Sequence, residues 1–224
     1  MSFITRGFTA RSRERDPRLP RGQTKVEDWP VLSAGPTPKL DPAVWSFTVT
    51  TETGAQTQWS WDELRALGLE DIETDIHCVT HWSKLAMSWR GVPLDKILAG
   101  IPTHAGFAMA NSYDGYTTNI PLPELLNGQA WVAFEADGAA LEPEHGGPAR
   151  LLIPHLYFWK SAKWVSGITL MESNDPGFWE QSGYSLHGDP WKEERYWSRD
   201  APAASCSTSR TGRATMPAST WTCA

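Results

Sequence analysis

Cys78 is the residue of this 224-residue chain whose type and surroundings point most directly to chemistry. It lies in the segment 75–84, DIHCVTHWSK, with a histidine on either side. The other two cysteines, Cys206 and Cys223, lie in a C-terminal segment rich in Ser, Thr and Ala. Because a thiolate is both a nucleophile and a soft metal ligand, a cysteine among polar neighbours is a candidate for either chemistry.

The residues around Cys78 leave three interpretations open. Together with His77 and His81 it offers ligands that zinc accepts, but a structural zinc site takes four ligands, and no second pair of Cys and His residues occurs between residues 85 and 197. A nucleophilic cysteine would need a histidine within hydrogen-bond reach. A cysteine that packs in the core as a small apolar side chain is the third interpretation.

Two further segments could bind an anion. Segment 145–154, HGGPARLLIP, places two glycines, which let a ligand approach the backbone, before Arg150, whose planar guanidinium suits phosphate. Segment 157–164, YFWKSAKW, combines lysines, a serine and backbone N–H groups. Each segment could instead be a loop or sheet edge whose basic side chains point into water.

Short elements must position these residues. Alternating or continuous apolar residues predict strands over 45–50, 58–60, 73–79, 107–110, 130–135, 149–154 and 164–171. Ser60 followed by Glu63 is a capping box and predicts a short helix, and a second short helix is predicted over 94–98. Gly91 and Pro93 predict a turn over 89–93. The pattern indicates an α+β fold dominated by mixed sheet with short interspersed helices.

The chain divides into three parts by composition. Residues 1–28 are rich in Arg and Pro without periodicity and predict an irregular N-terminal arm. Residues 29–197 carry every predicted element and predict one folded domain, which this length supports. Residues 198–224 are of low complexity, and we expect them to be disordered.

Composition also limits the class of protein. A net charge of −6 argues against nonspecific binding of nucleic acid, which needs clustered basic residues. No apolar run approaches the roughly 20 residues of a membrane span, no apolar core of a signal peptide follows the N-terminal charges, and three cysteines do not make a disulfide framework. We therefore expect a cytoplasmic protein. Its 13 Trp residues are typical of aromatic walls around a ligand or of an aromatic core.

In order and spacing, the three segments resemble the oxidoreductase molybdopterin-binding domain of the sulfite oxidase family. The matching motifs are CVxxWS from Cys78, HGxPxRLxxP from His145 and KSxKW from Lys160. The resemblance is closer to the branch that holds the catalytic subunit of bacterial methionine sulfoxide reductase and the small sulfite oxidase-like proteins, and it covers about residues 29–197. It implies a mixed-sheet sulfite oxidase-type fold.

The resemblance implies a molybdenum–molybdopterin cofactor. Cys78 is then the single protein ligand to molybdenum, and a pyranopterin dithiolene supplies two more sulfurs. The residues that this resemblance assigns to cofactor binding are Ser112, His145, Arg150, Ser161, Ala162 and Lys163.

The implied activity is oxygen-atom transfer on a small sulfur or nitrogen oxide or oxyanion, with a separate electron donor or acceptor protein. From their proximity to Cys78, we expect His81 and Lys84 to place or protonate the substrate. Tyr113, Asp114 and Tyr116 are expected to line the access route. The alternatives are a Cys/His-dependent hydrolase or transferase, and a non-catalytic pterin-binding module, which would have no need of a metal ligand.

Overall fold

The computed structural model describes residues 16–197, so the predicted disordered tail and the first half of the arm lie outside the described residues. Within this range the chain forms eleven strands and two short helices, α1 (Trp61–Ala66) and α2 (Leu94–Leu98), with four short 3-10 turns. The strands are β1 Thr24–Lys25, β2 Ser46–Thr50, β3 Gln56–Ser60, β4 Glu70–His77, β5 Trp82–Pro93, β6 Phe107–Ser112, β7 Thr117–Pro121, β8 Trp131–Ala136, β9 Ala139–Ala140, β10 Arg150–Leu152 and β11 Val165–Met171.

The strands form two sheets. In the first, the order is β1-β5-β8-β10, with β4 added to β5 and β9 to β8; in the second, it is β3-β2-β11-β6-β7. Most neighbours are antiparallel, but β1 pairs with β5 and β2 with β11 in parallel. The prediction of an α+β fold built on mixed sheet is confirmed.

The first sheet is buried on both faces. In β8, Val132 and Phe134 belong to a core that includes strands of the second sheet, whereas Trp131 and Ala133 belong to a separate core. This division follows from the alternation of side chains along a strand. Cys78 lies in the separate core, so the candidate site is on the face of the first sheet that points away from the second sheet.

Local signals explain the helix starts. The Ser60 side chain accepts from the Glu63 backbone N–H and the Glu63 carboxylate accepts from the Ser60 N–H, so the predicted capping box is present at the start of α1.

The turn predicted over 89–93 is wrong. These residues end the twelve-residue strand β5, where Gly91 and Pro93 continue the pairing with β8.

Part of the predicted arm belongs to the first sheet. Thr24 and Lys25 lie beside Trp82 and Ser83, next to the loop that carries Cys78.

Along the described part of the chain, none of the helices reaches the length and apolar character that a membrane crossing requires.

Substitution of Gly91 tests how closely β5 and β8 pack against each other. A Cβ at this position would lie 2.5 Å from the Val132 carbonyl oxygen and 2.9 Å from the Ala133 Cα, so we expect Gly91→Ala to destabilise the fold by roughly 1–3 kcal/mol. Gly106→Ala is the control, because a Cβ at Gly106 meets no atom within 4 Å. Urea unfolding measures both, and equal free energies of unfolding would contradict the close packing of the two strands.

Candidate functional site

A cavity of about 340 Å³ opens beside Cys78. Its volume is in the range of small-molecule sites, which is about 300–1,000 Å³. Six chain segments that are separate in sequence form its walls. The lining residues are Trp29, Pro30, Leu32, Ser33, Ala34, Cys78, Val79, Thr80, Trp82, Asp114, Tyr116, His145, Arg150, Phe158, Trp159, Ser161, Ala162, Lys163, Trp164, Trp179 and Tyr184.

Cys78 lies in the tight loop that joins β4 to β5. Its backbone N–H donates to the Trp82 carbonyl over 2.8 Å, which closes the loop. The thiol lies 3.1 Å from the Thr80 hydroxyl, and the residue is only 6% exposed. Burial raises the pKa of the Cys78 thiol, while the hydrogen bond from Thr80 opposes that shift. The thiol is therefore sheltered at a cavity wall, within hydrogen-bond distance of one hydroxyl group.

Arg150 brings a buried positive charge to the cavity. It is 1% exposed, and its guanidinium donates to the carbonyls of His145 and Ser161 over 2.8 and 2.7 Å. The guanidinium carbon lies 4.0 Å from the centre of the Phe158 ring. Burial lowers the pKa of Arg150 to about 9, and no carboxylate of residues 16–197 forms an ion pair with it. A buried cation without a counter-charge is suited to an anionic ligand.

Lys163 adds a second cation. Its ammonium donates to the carbonyls of Leu32 and Glu144, each over 2.7 Å, and burial together with the Arg150 charge lowers its pKa to about 8. Gly146 lets the two anion-binding segments meet. It has a φ of +102°, and a Cβ there would lie 3.0 and 3.1 Å from the Cβ atoms of Lys163 and Arg150.

Ser161 and Ala162 connect these segments to β10. The Ser161 hydroxyl accepts from the Ile153 N–H over 2.9 Å, and the Ala162 carbonyl accepts from the Leu151 N–H over 2.8 Å. Both residues are buried and line the cavity. Their hydrogen bonds fix the wall of the cavity against the first sheet.

His145 lies at the cavity with its ring stacked on Trp29. The ring centroids are 3.9 Å apart and the planes differ by 6°. Burial, followed by the charges of Arg150 and Lys163, lowers the pKa of His145 to about 4. The imidazole is therefore neutral at pH 7 and can act as a donor or acceptor without adding charge.

Between residues 112 and 116, four residues were predicted to bind the cofactor or to line the access route, and two of them line the cavity. They are Asp114 and Tyr116, which lie in and after the turn from β6 to β7. Ser112 and Tyr113 are not among the lining residues. The Ser112 hydroxyl is buried and has no hydrogen-bond partner within residues 16–197, and the Tyr113 hydroxyl donates to the Ser46 carbonyl over 2.9 Å.

His81 and Lys84 also lie outside the cavity lining. The His81 ring nitrogen is 3.0 Å from the Gly22 carbonyl oxygen, and Lys84 forms a 2.6 Å ion pair with Asp137. Their closeness to Cys78 in sequence does not bring them to the cavity wall, because a reversing loop and an alternating strand direct neighbouring side chains to different sides.

Sequence reasoning missed several residues of this region. Trp29, Trp179 and Tyr184 form aromatic walls, and Gln23 and Arg195 hydrogen-bond to the Cys78 loop from outside the cavity. The high Trp content indicated aromatic walls or an aromatic core, but it did not single out Trp29. Gln23 and Arg195 lie in segments without periodicity, where the sequence has no signal for contacts across 55 and 116 residues.

The donor set at the cavity fits a metal that brings its own ligands. Within the described range, no three His, Cys, Asp or Glu side chains come together as a metal site, so zinc lacks a protein ligand set there. Cys78 supplies one soft sulfur, and Arg150 and Lys163 supply cations suited to a phosphate. This set suits a molybdenum–pterin group, whose metal accepts a thiolate ligand and whose phosphate pairs with cations.

A family model described as the oxidoreductase molybdopterin binding domain matches residues 34–179. The chain belongs to this family. The predicted family and the predicted molybdenum–molybdopterin cofactor are thereby confirmed, and the chain is an oxidoreductase. The matched range contains Cys78 and both anion-binding segments, whereas Gln23 and Arg195 lie outside it.

Relatives of the chain support this family assignment. The chain is 39% identical over 189 residues to the uncharacterized oxidoreductase YuiH of Bacillus subtilis, which covers 83% of this chain and 96% of the relative. It is 29% identical over 152 residues to YedZ1 of Azospira oryzae, described as a protein-methionine-sulfoxide reductase subunit, covering 67% of this chain and 58% of that protein. The crystal structure of the sulfane dehydrogenase SoxCD from Paracoccus pantotrophus superposes with a TM-score of 0.57 at 17% identity, over 66% of this chain and 42% of that one. This last similarity confirms the fold.

The lowered pKa of His145 predicts how the stability of the cofactor-free protein depends on pH. Between the unfolded value of 6.5 and the folded value of about 4, the unfolded chain binds more protons at this residue. We therefore expect wild type to lose stability relative to His145→Gln as the pH falls from 6.5 to 4. Urea unfolding across this range measures the difference, with His104→Gln, an exposed histidine, as control. Parallel curves for wild type and His145→Gln would contradict the shift.

Proposed function

We propose that this oxidoreductase transfers an oxygen atom to or from a small sulfur or nitrogen oxide, with the Cys78 thiolate as its protein ligand to molybdenum. One observation carries the proposal: the Cys78 thiol lines the same cavity as the Arg150 cation, which has no ion-pair partner among residues 16–197. A thiolate suits the metal, and a buried guanidinium suits the phosphate of the pterin.

The phosphate contacts are assigned to the basic wall. Arg150 supplies fixed charge, because its two carbonyl partners hold the guanidinium in place. Lys163 supplies a second charge, and neutral His145 supplies a ring nitrogen. A bound phosphate compensates the cost of burying these cations. Ser161 and Ala162 line the same wall and are assigned to backbone contacts with the phosphate. We leave Ser112 out, because it does not line the cavity.

When bound, the molybdenum–pterin supplies the two-electron redox chemistry and accepts or gives the oxygen atom. The chain holds the metal through Cys78, and Thr80 can donate its hydroxyl proton to the thiolate, which favours the deprotonated form that a metal needs. The Trp-rich walls restrict water at the site.

Asp114 and Tyr116 form the proposed access side of the cavity. Both line it, and the Tyr116 hydroxyl donates to the Trp159 carbonyl over 2.8 Å, which ties this side to an aromatic wall. His81 and Lys84 have other partners, so their positions do not support the predicted contact with substrate.

An electron donor or acceptor protein completes the proposal, because oxygen-atom transfer leaves the centre with two electrons too few or too many. The description of YedZ1 as a protein-methionine-sulfoxide reductase subunit supports both a protein partner and a sulfoxide-type substrate. The proposed compartment is the cytoplasm; the composition supports it, since three cysteines do not make a disulfide framework.

Cys78→Ser tests the metal ligand. We expect the variant to fold and to lose most of its molybdenum, because a serine hydroxyl is a harder and less acidic ligand than a thiol. Metal analysis of protein expressed in a host that makes the cofactor measures molybdenum per chain, with Cys223→Ser as the same change elsewhere. Wild-type molybdenum content with an unaltered centre in Cys78→Ser would overturn the assignment.

Arg150→Met tests the phosphate site. Loss of a charge-assisted contact of roughly 1.5–3 kcal/mol predicts about 10- to 150-fold weaker binding of the pterin. Because the His145 and Ser161 carbonyls lose their donor, we expect the cofactor-free variant to be less stable by roughly 1–3 kcal/mol, which urea unfolding measures separately from pterin binding. Arg90→Met, which removes an exposed arginine on β5, is the control. Equal pterin content in Arg150→Met and wild type would contradict a phosphate contact.

A further inference from the structure

Two residues that the cavity does not include hold the Cys78 loop from its other side. The Gln23 side-chain amide donates to the Cys78 carbonyl over 3.0 Å, and the Arg195 guanidinium donates to the Val79 carbonyl. We term Gln23 and Arg195 the carbonyl clamp. Neither residue lines the cavity, and both hydrogen bonds go to backbone carbonyls of the loop.

The two ends of the described chain meet at this clamp. Gln23 precedes β1, which is attached to the loop by the hydrogen bond from the Thr24 N–H to the His81 carbonyl over 2.9 Å. The Arg195 carbonyl accepts from the Ser185 N–H over 3.1 Å, in the segment that carries the wall residue Tyr184. The clamp is therefore anchored on both sides of the loop.

Arg195 brings a positive charge to the loop in a nearly buried position. It is 9% exposed, its guanidinium carbon lies 4.8 Å from the centre of the Tyr157 ring, and no carboxylate of residues 16–197 forms an ion pair with it. The Arg195 Nη2 atom is buried and without a hydrogen-bond partner in the described range. The hydrogen bond to the Val79 carbonyl places the Arg195 charge next to the residue that follows Cys78.

We propose that Arg195 is a positioning residue that raises the reduction potential of the metal bound to Cys78, and that Gln23 fixes the loop that presents the thiolate. The inference rests on the proposed function. Reduction adds negative charge to the centre, and an uncompensated cation nearby stabilises the reduced state more than the oxidised state. In a buried position this effect is screened only weakly by salt.

The effect of the Arg195 charge is tested by redox titration of the molybdenum-loaded protein, with electron paramagnetic resonance as the readout. We expect Arg195→Gln and Arg195→Met to reduce the equilibrium constant for one-electron reduction about tenfold, which is a fall of about 59 mV. Arg195→Lys keeps the charge and should stay within about threefold of wild type. Arg90→Met, which removes an exposed arginine, should leave the potential unchanged.

The loop is tested in the cofactor-free protein by amide hydrogen exchange. Gln23→Leu removes one hydrogen bond to the Cys78 carbonyl without changing charge, so exchange at residues 78–82 should be about three- to tenfold faster. Exchange in the second sheet, for instance at β6, should not change. Unaltered exchange at residues 78–82 would refute the role of Gln23.

The outcomes separate the two levels of inference. A molybdenum-loaded wild type and a loaded Arg195→Gln with the same potential overturn the role of Arg195 and leave the proposed function intact. Arg195→Gln keeps a donor for the Val79 carbonyl, so it decides the question if Arg195→Met does not fold. Wild-type protein without molybdenum overturns the proposed function and this inference together.

Discussion

The Arg150 guanidinium is held by two carbonyl oxygens and enclosed by aromatic rings, with no carboxylate beside it in the described structure. Much of the site depends on this arrangement. A cation in such a position is costly unless an anion joins it, so the site is suited to an anionic ligand. The same guanidinium joins the His145 loop to the Ser161 segment, and its charge contributes to the lowered pKa values of His145 and Lys163.

A sheet buried on both faces makes this possible. One face of β8 and β10 packs against the second sheet and gives the domain its larger core, while the other face presents Leu152, Trp131 and the Arg150 side chain to the smaller core around Cys78. The cavity walls are then completed by connections that leave the sheets, among them the loop after β4 and the turn between β6 and β7. Rigid strands position the thiol and the guanidinium, and loops enclose the space between them.

Local physics made much of the fold predictable. Alternation located β2 and β6 to within a few residues, and the pairing of Ser60 with Glu63 located the start of α1. The turn predicted over 89–93 failed for a tertiary reason: Gly91 is required where β5 and β8 approach too closely for a Cβ, which is unrelated to a turn. At the site, motif order predicted roles for Cys78, His145, Arg150 and Ser161–Lys163, and all of these residues line the cavity. Proximity in sequence was a poor guide for His81 and Lys84, which have partners elsewhere.

By itself, the sequence determined the family and the cofactor class, because these depend on residue types at fixed short spacings. It also determined the mixed-sheet class, since strand periodicity is local. Only the tertiary structure decided that Arg150 has no carboxylate beside it in the described range and that Ser112 does not line the cavity. It alone also decided that Gln23 and Arg195 hydrogen-bond to the loop that carries Cys78. Burial, charge pairing and contacts between distant segments are properties of the packed chain, so no spacing within one segment encodes them.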